Sequence, residues 1–315
     1  MNLDHHGIRP TTRGGSERPH LPMGMPPGMA TGTQPGAEPS MPLHAPVRGA
    51  AYVPAGRPAA MARPVRSRLV VTMLDGFSML VPEGGPLPLP SGRARTLLML
   101  LLLRHGRALS RSRLVAAMWP EAEPDSARNC LNVMLHRVRR ALGGVATVLH
   151  TPEGYRFESG CELWLDAEQF LWHAENGRRE EAAGHVATAR QHYEAARGLY
   201  RADLQEEDDG DPVLAADEQA LRDRHREVLD RLAALLETEG AWHACMSLAR
   251  EQLAADPCNE YAHRRLMRCH AQLGQLERAE RQFRECVRVL RQRFGLAPSE
   301  ETTLLYRRIA SRLAA

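Results

Sequence analysis

The chain has 315 residues, enough for about two domains, and its formal net charge is only +3. That charge is uneven: residues 1–65 carry +3, residues 66–160 carry +6 and residues 161–315 carry −6, and every cation is an arginine. A basic segment joined to an acidic one suggests a polyanion-binding domain attached to a second domain. The six cysteines form no CxxC pair and the longest apolar run, residues 97–103, is too short to span a bilayer. We therefore expect a cytoplasmic protein with no membrane contact, no metal site and no cofactor.

The N-terminal segment and the region after it differ sharply in composition. Residues 1–66 hold 12 of the 22 prolines and few aliphatic residues, so they cannot bury enough apolar surface to offset the entropy of ordering. We predict a disordered tail there. Residues 68–81 are aliphatic with an Asp-Gly break, which predicts a hairpin. Leu87 and Leu89, between prolines, suggest a short edge strand.

Three helices and a second hairpin follow this small sheet. The helices are predicted over residues 92–104, 111–118 and 125–142, with N-caps at Ser91, at Ser110 and at Asp125 or Ser126. Residues 146–158 alternate across a Pro-Glu-Gly turn, as a hairpin does. This order is typical of a winged helix-turn-helix, in which the third helix enters the major groove and the wing lies along the backbone.

The third helix carries the chemistry expected of a DNA-reading helix. On a helical projection its inner face is wholly apolar, and its outer face holds amides, an imidazole, guanidinium groups and one valine. The outer residues are Asn129, Asn132, Val133, His136, Arg137 and Arg140. Asparagine suits adenine, arginine suits guanine or phosphate, and an aliphatic group suits the thymine methyl. The alternative interpretation is an ordinary amphipathic helix with a solvated basic face.

The rest of the chain is predicted to be helical and repetitive. A similar pattern follows Gly184, Gly240 and Gly274. A small residue stands five positions after each glycine, and a packing residue stands nine positions after it: Tyr193, Ala249 and Phe283. The last two glycines are 34 residues apart, the tetratricopeptide period. The predicted helices span residues 166–176, 178–200, 215–239, 241–255, 260–273, 276–294 and 299–313.

Several motifs resemble one bacterial regulator family. They include RVRRAL at residues 137–142, GYRF at residues 154–157 and FGLAPSEET at residues 294–302. With these motifs, about four-fifths of the chain resembles the SARP-type activators of actinomycetes. Those proteins join an OmpR/PhoB-like winged helix to a bacterial transcriptional activation domain of tetratricopeptide-like helices. The resemblance implies binding to direct repeats in promoter DNA as a homo-oligomer, and contact with RNA polymerase, commonly its sigma factor.

The same resemblance implies roles for individual residues. Asn132, Val133, His136 and Arg137 lie where PhoB-like domains touch bases or phosphates, and Arg139 and Arg140 favour phosphates. Asn129 on the helix, with Thr151 and Arg156 on the wing, completes the predicted DNA-binding set. The wing differs from many relatives because Glu153 occupies its tip, where an arginine often reaches the minor groove.

We therefore predict a mostly α-helical protein with a small β component. The predicted organisation is a tail at residues 1–66, a winged helix-turn-helix at residues 67–160 and a tetratricopeptide-like activation domain at residues 161–315. The predicted function is a sequence-specific transcriptional activator. The alternative is a tetratricopeptide-type interaction scaffold with only non-specific affinity for DNA. We expect no catalytic residues, since the sequence lacks HExxH, GxSxG and phosphate-loop motifs.

Overall fold

The computed structural model describes residues 68–82, 84–205 and 211–313; the predicted tail at residues 1–66 lies outside them. The first described element is the predicted hairpin, formed by β1 (Arg68–Thr72) and β2 (Ser78–Val81), which pair antiparallel. The edge strand β3 is Gly85–Pro86, so the prediction of a strand through Leu87 and Leu89 was wrong. The ladder stops soon after Leu87 because prolines have no N–H group to continue it.

Three helices pack beside this sheet, as predicted: α1 (Arg93–Leu103), α2 (Arg111–Met118) and α3 (Pro124–Leu142). The predicted cap at Ser110 is confirmed, because its hydroxyl accepts a hydrogen bond from the Arg113 amide at 3.3 Å. The other predicted caps were wrong. Helix α1 begins after Gly92, and α3 begins at Pro124, whose fixed φ suits the first helical position.

A hairpin and an unpredicted strand complete the β structure. The predicted wing is present as β4 (Ala146–Thr151) and β5 (Gly154–Ser159), paired along their whole length. Sequence reasoning missed β6 (Glu162–Leu165), which runs parallel to β1 and gives a sheet of order β3-β2-β1-β6. It places Glu162 opposite Arg68, and their side chains form an ion pair at 3.2 Å.

The remaining elements are helices, each packed against the next along the chain. They are α4 (Asp166–Ala182), α5 (Val186–Leu199), α6 (Pro212–Thr238), α7 (Trp242–Ala255), α8 (Glu260–Gln272), α9 (Leu276–Phe294) and α10 (Glu300–Leu313). The predicted repeat glycines, Gly184, Gly240 and Gly274, precede α5, α7 and α9, and each has a positive φ that favours glycine. The small residues five positions later, Ala189, Cys245 and Ala279, are fully buried. The fold of a winged helix followed by tetratricopeptide-like helices is confirmed.

The predicted break between the first two helices of this region was misplaced. The chain was expected to break between residues 176 and 178, but α4 continues through Gly177 and ends at Ala182. Gly177 is needed for packing: a Cβ there would lie 2.6 Å from the Tyr193 ring of α5. The break comes instead at Gly184, whose φ of 81° turns the chain so that α5 packs on α4.

The sheet and the helical region are joined by buried polar contacts. Asp166, at the start of α4, is buried and accepts hydrogen bonds from the amides of Met73 at 2.7 Å and Leu74 at 2.8 Å. Burial raises the pKa of Asp166 although these amides favour its charged form. Because β6 lies after residue 160, the sheet also takes strands from both sides of the domain boundary predicted there. That boundary stays a prediction.

Neither a membrane span nor a metal cluster is seen in the described part of the chain. No helix among the described residues combines the length and apolar character needed to cross a bilayer. Within residues 68–82, 84–205 and 211–313, no group of three or more His, Cys, Asp or Glu side chains could hold a metal ion. All six cysteines are free thiols, and Cys245, Cys269 and Cys286 are buried.

Candidate nucleic-acid interface

Helix α3 is amphipathic, and its apolar side is anchored in the core. The residues that hold it there, Ala127, Leu131, Leu135, Val138 and Leu142, recur every three or four positions and are all buried. Gly143 ends the helix in the left-handed conformation with φ 58°. The apolar period therefore fixes the rotation of α3 about its axis, and the opposite face must point to solvent.

The structure brings six of the predicted DNA-binding residues together on that outer face. All are exposed, and they are Asn129, Asn132, Val133, His136, Arg137 and Arg140. Val133 is 52% exposed, which is unusual for an aliphatic side chain in this domain. No hydrogen bond or ion pair joins any of the five polar side chains to another described residue. Their donors and acceptors are therefore free to meet a ligand.

Arg139 has a different position from the other predicted residues. It is exposed, but its guanidinium Nε and Nη2 donate to the carbonyl oxygen of Val148 in β4, at 2.9 and 2.7 Å. These two bonds tie the last turn of α3 to the wing. Arg139 therefore positions the wing, a role that sequence reasoning missed because it depends on a contact nine residues away.

The two predicted wing residues are half-buried and already engaged. The Thr151 hydroxyl donates to the Gly154 carbonyl at 3.3 Å, and Arg156 pairs with Glu158 at 3.1 Å. Arg156 Nε is buried and has no hydrogen-bond partner among the described residues. At the tip, the nearby Thr151 hydroxyl, the backbone amide of Glu153 and the charge of Arg156 lower the pKa of Glu153 below its usual range. The wing tip is therefore anionic, and the membership of Thr151 and Arg156 in the interface stays a prediction.

The wing is fastened near its turn by backbone bonds to the segment before α2. The amides and carbonyls of Leu109 and Tyr155 exchange two hydrogen bonds of 2.8 Å. Arg111 adds a contact that sequence reasoning missed: its Nη2 donates to the Tyr155 hydroxyl at 2.7 Å. Gly154 allows this approach, since a Cβ there would lie 2.0 Å from the Leu109 carbonyl oxygen. These contacts hold the turn of the wing against the segment before α2, while Arg139 holds β4 against α3.

Comparison with known proteins gives two family matches in the order of these structural units. Residues 87–157 match "Transcriptional regulatory protein, C terminal", and residues 165–310 match "Bacterial transcriptional activator domain". The first match covers the three helices and the wing, and the second covers α4 and most of the helices after it. These two domains in this order are those of the SARP-type transcriptional regulators, which the chain resembles along most of its length.

Similar proteins are regulators from actinobacteria. The chain is 29% identical over 242 residues to the regulatory protein AfsR of Streptomyces griseus, which spans 74% of this chain and 23% of AfsR. It is 27% identical over 135 residues to the transcriptional regulatory protein MoaR1 of Mycobacterium tuberculosis, spanning 40% and 43% of the two chains. The chain thus spans less than half the length of these curated relatives.

A solved structure shares the fold of this chain. It is Mycobacterium tuberculosis EmbR in complex with a low-affinity phosphopeptide. The two superpose with a TM-score of 0.64 at 22% sequence identity, over 78% of this chain and 66% of the EmbR chain. This likeness supports the combined architecture of winged helix and helical region.

Proposed function

We propose that this protein is a sequence-specific activator that reads duplex DNA with the outer face of α3. The observation that carries this proposal is the set of exposed polar side chains on that face that have no partner among the described residues. If this face were an ordinary solvated helix surface, its charged side chains would be expected to form ion pairs with neighbouring residues. The separate basic charge of residues 66–160, +6, supports attraction to phosphates.

The residues divide by the contacts they can make. We propose that Asn132, Val133, His136 and Arg137 read base edges, because they occupy the middle of the exposed face. Arg140, in the last turn, is placed for phosphate contact, and Asn129 flanks the base-reading group near the first turns. Arg139 acts through the wing that it holds, and Thr151 and Arg156 position the wing beside the backbone.

We further propose that copies bind side by side on direct repeats and contact RNA polymerase, through its sigma factor. Direct repeats relate neighbouring copies by translation, so the contact between them is heterologous, with different surfaces of the two copies meeting. The helical region α4–α10 provides surface for that contact and for polymerase. This part of the proposal follows from the resemblance to the SARP-type family.

The test is a binding experiment with the full-length protein. Genomic fragments selected by the protein are footprinted with wild type, with Arg137→Ala and with a control, Arg307→Ala, whose exposed side chain lies on α10. A lost base contact costs about 1–3 kcal/mol, so Arg137→Ala is expected to weaken operator binding by about 5- to 150-fold. The control is expected to bind as wild type does.

Two outcomes would contradict the proposal. A normal footprint by Arg137→Ala at physiological salt would remove this residue from the interface. If wild type preferred no genomic fragment over calf-thymus competitor, the protein would be only a scaffold with non-specific affinity for DNA. Transcription by purified RNA polymerase on a selected promoter, with and without the protein, tests activation itself.

A further inference from the structure

A cavity in the C-terminal helices is lined by arginines and lies outside the DNA-reading surface. It has a volume of about 650 Å³ and is formed by α7, α8 and α9. Five arginines line it, and we call it the arginine groove: Arg250 on α7, with Arg278, Arg281, Arg284 and Arg288 on α9. This concentration of positive charge is unexpected, because residues 161–315 carry a net charge of −6.

Three of the five arginines have no carboxylate partner among the described residues. Arg284 pairs with Glu280 at 2.8 Å, and Arg288 pairs with Glu285. Arg278 donates only to the amide oxygen of Gln275, at 3.2 Å. Arg250 and Arg281 are exposed, and neither has a hydrogen bond or ion pair within the described ranges. The groove thus holds an uncompensated excess of positive charge.

Besides the arginines, the lining of the groove is polar, and its carboxylate, Glu285, is already paired with Arg288. His270 of α8 lines the groove, and its Nδ1 lies 2.9 Å from the Gln275 amide oxygen. Burial lowers the pKa of His270, and the charges of Arg250, Arg278 and Arg281 lower it further. The histidine therefore stays neutral at physiological pH and leaves the arginines to attract an anion.

A second cavity, lined half by polar and half by aliphatic side chains, adjoins the arginine groove and shares part of its wall. Its volume is about 400 Å³, and it shares Arg250, His270, Gln282 and Glu285 with the groove. The rest of its lining is largely aliphatic: Leu253, Ala254, Pro257, Leu266 and Val289. A ligand that follows both cavities would meet positive charge at one end and apolar surface at the other.

We propose that the arginine groove binds an extended acidic peptide segment of a partner protein, with aliphatic side chains seated in the adjoining cavity. From Arg278 to Arg288 the arginines of α9 span ten residue steps, which is roughly 15 Å at 1.5 Å per residue. An extended chain covers that length with about five residues at about 3.3 Å each. A row of charges of this length suits successive carboxylates better than one small anion.

Duplex DNA fits the groove poorly. Phosphate binding would use only the arginines. The neighbouring aliphatic lining would find no counterpart on a phosphate backbone. The proposal does not depend on the DNA-reading role of α3, so each can fail without the other.

The test uses the full-length protein and a fluorescein-labelled synthetic peptide of five consecutive acidic residues followed by Leu-Val-Leu. Fluorescence anisotropy is expected to show saturable binding that weakens as salt rises from about 50 to about 300 mM. A peptide with amides in place of the acids is expected not to bind. A peptide with Ser-Gly-Ser in place of Leu-Val-Leu is expected to bind more weakly.

Charge reversal locates the site. The double variant Arg250→Glu/Arg281→Glu is expected to lower peptide affinity by at least about tenfold, since two attractive contacts become repulsive. The matched control Arg307→Glu/Arg308→Glu makes the same change in net charge at exposed positions of α10, and should keep wild-type affinity. Circular dichroism and thermal melting verify that both variants fold.

The proposal is overturned if the acidic peptide does not bind, or if its amide version binds equally well. It is also overturned if both double variants lose peptide affinity to the same extent, because the attraction would then be non-specific. Unchanged peptide binding with weaker binding to random duplex DNA in Arg250→Glu/Arg281→Glu would assign the groove to nucleic acid instead.

Discussion

Replacing Gly154 with alanine should detach the turn end of the wing from Leu109. Gly154 has a φ of 140°, a conformation that residues with a Cβ rarely adopt. An added Cβ would lie 2.0 Å from the Leu109 carbonyl oxygen, 2.5 Å from the Leu109 carbonyl carbon and 2.7 Å from Ser110 Cα. All three are backbone atoms, so no side chain can rotate away, and the strand itself must withdraw.

The cost follows from what the withdrawal breaks. The two hydrogen bonds between Leu109 and Tyr155 would be lost, at about 1 kcal/mol each. The strained backbone adds about 1–3 kcal/mol. The sum of about 3–5 kcal/mol is a large share of a typical domain stability of about 5–15 kcal/mol. We therefore expect a wing that is displaced or locally unfolded.

Gly144→Ala is the matched control. Gly144 also has a positive φ, 88°, but a Cβ there would meet no atom within 4 Å. It should therefore cost only the backbone strain, about 1–2 kcal/mol. Urea unfolding measures the difference, and hydrogen exchange should show faster exchange of the Leu109 and Tyr155 amides in Gly154→Ala alone. Equal destabilisation by the two variants, with both amides still protected, would refute this reasoning.

Two further predictions concern the helical region. Gly177→Ala should destabilise the protein by about 1–3 kcal/mol, since its Cβ would lie 2.6 Å from the Tyr193 ring. Gly198→Ala, in open space on α5, should stabilise the protein by about 0.4–1 kcal/mol. Thermal melts that rank the two variants in the opposite order would contradict this. Burial alone would raise the pKa of Glu237, but hydrogen bonds and charges from two arginines of α8 outweigh burial and lower it below the usual 4.5. The charged form therefore stabilises the fold above about pH 4.5, and this contribution is lost as the pH falls through the lowered value. Unfolding from pH 7 to pH 3 should show a shallower loss of stability for Glu237→Gln than for wild type, and parallel curves would exclude the effect.

Local sequence patterns were enough to predict the elements whose residues contact one another nearby or repeat at a fixed period. The apolar positions of α3 recur every three or four residues, so they predicted both the helix and its buried face. The glycines at the starts of the helical repeats have positive φ values, and this backbone requirement made their spacing informative. The wing was predicted for the same reason, because its two strands are joined by a short turn.

Elements stabilised by distant residues could not be predicted in the same way. Strand β6 has only four residues, and its partner β1 lies some 90 residues earlier in the chain. Gly177 resembles a helix end in the sequence, yet its role is to make room for Tyr193 of the next helix. In both cases the deciding contact forms only once the chain has folded.

The candidate site shows the same division. Sequence reasoning identified the exposed face of α3 because exposure follows from the helical period. It could not separate Arg140, which has no bonded partner in the described ranges, from Arg139, whose guanidinium is bonded to Val148 of the wing. The sequence shows two neighbouring arginines, but only the folded structure shows that Arg139 is already hydrogen-bonded.

The junction between the two regions gives the arginine groove a defined relation to α3. Helix α1 packs against α3 and also contacts α6, where Arg104 pairs with Asp217 at 2.7 Å and Thr96 donates to Asp211 at 2.9 Å. The side chains of Arg104 and Asp217 are only 13% and 14% exposed, and a charged pair so far withdrawn from water tolerates little displacement. A flexible linker would let the helical region drift relative to bound DNA, whereas this junction fixes it. A peptide held between α7 and α9 would therefore be held at a set distance from the duplex, which raises its effective concentration beside the promoter.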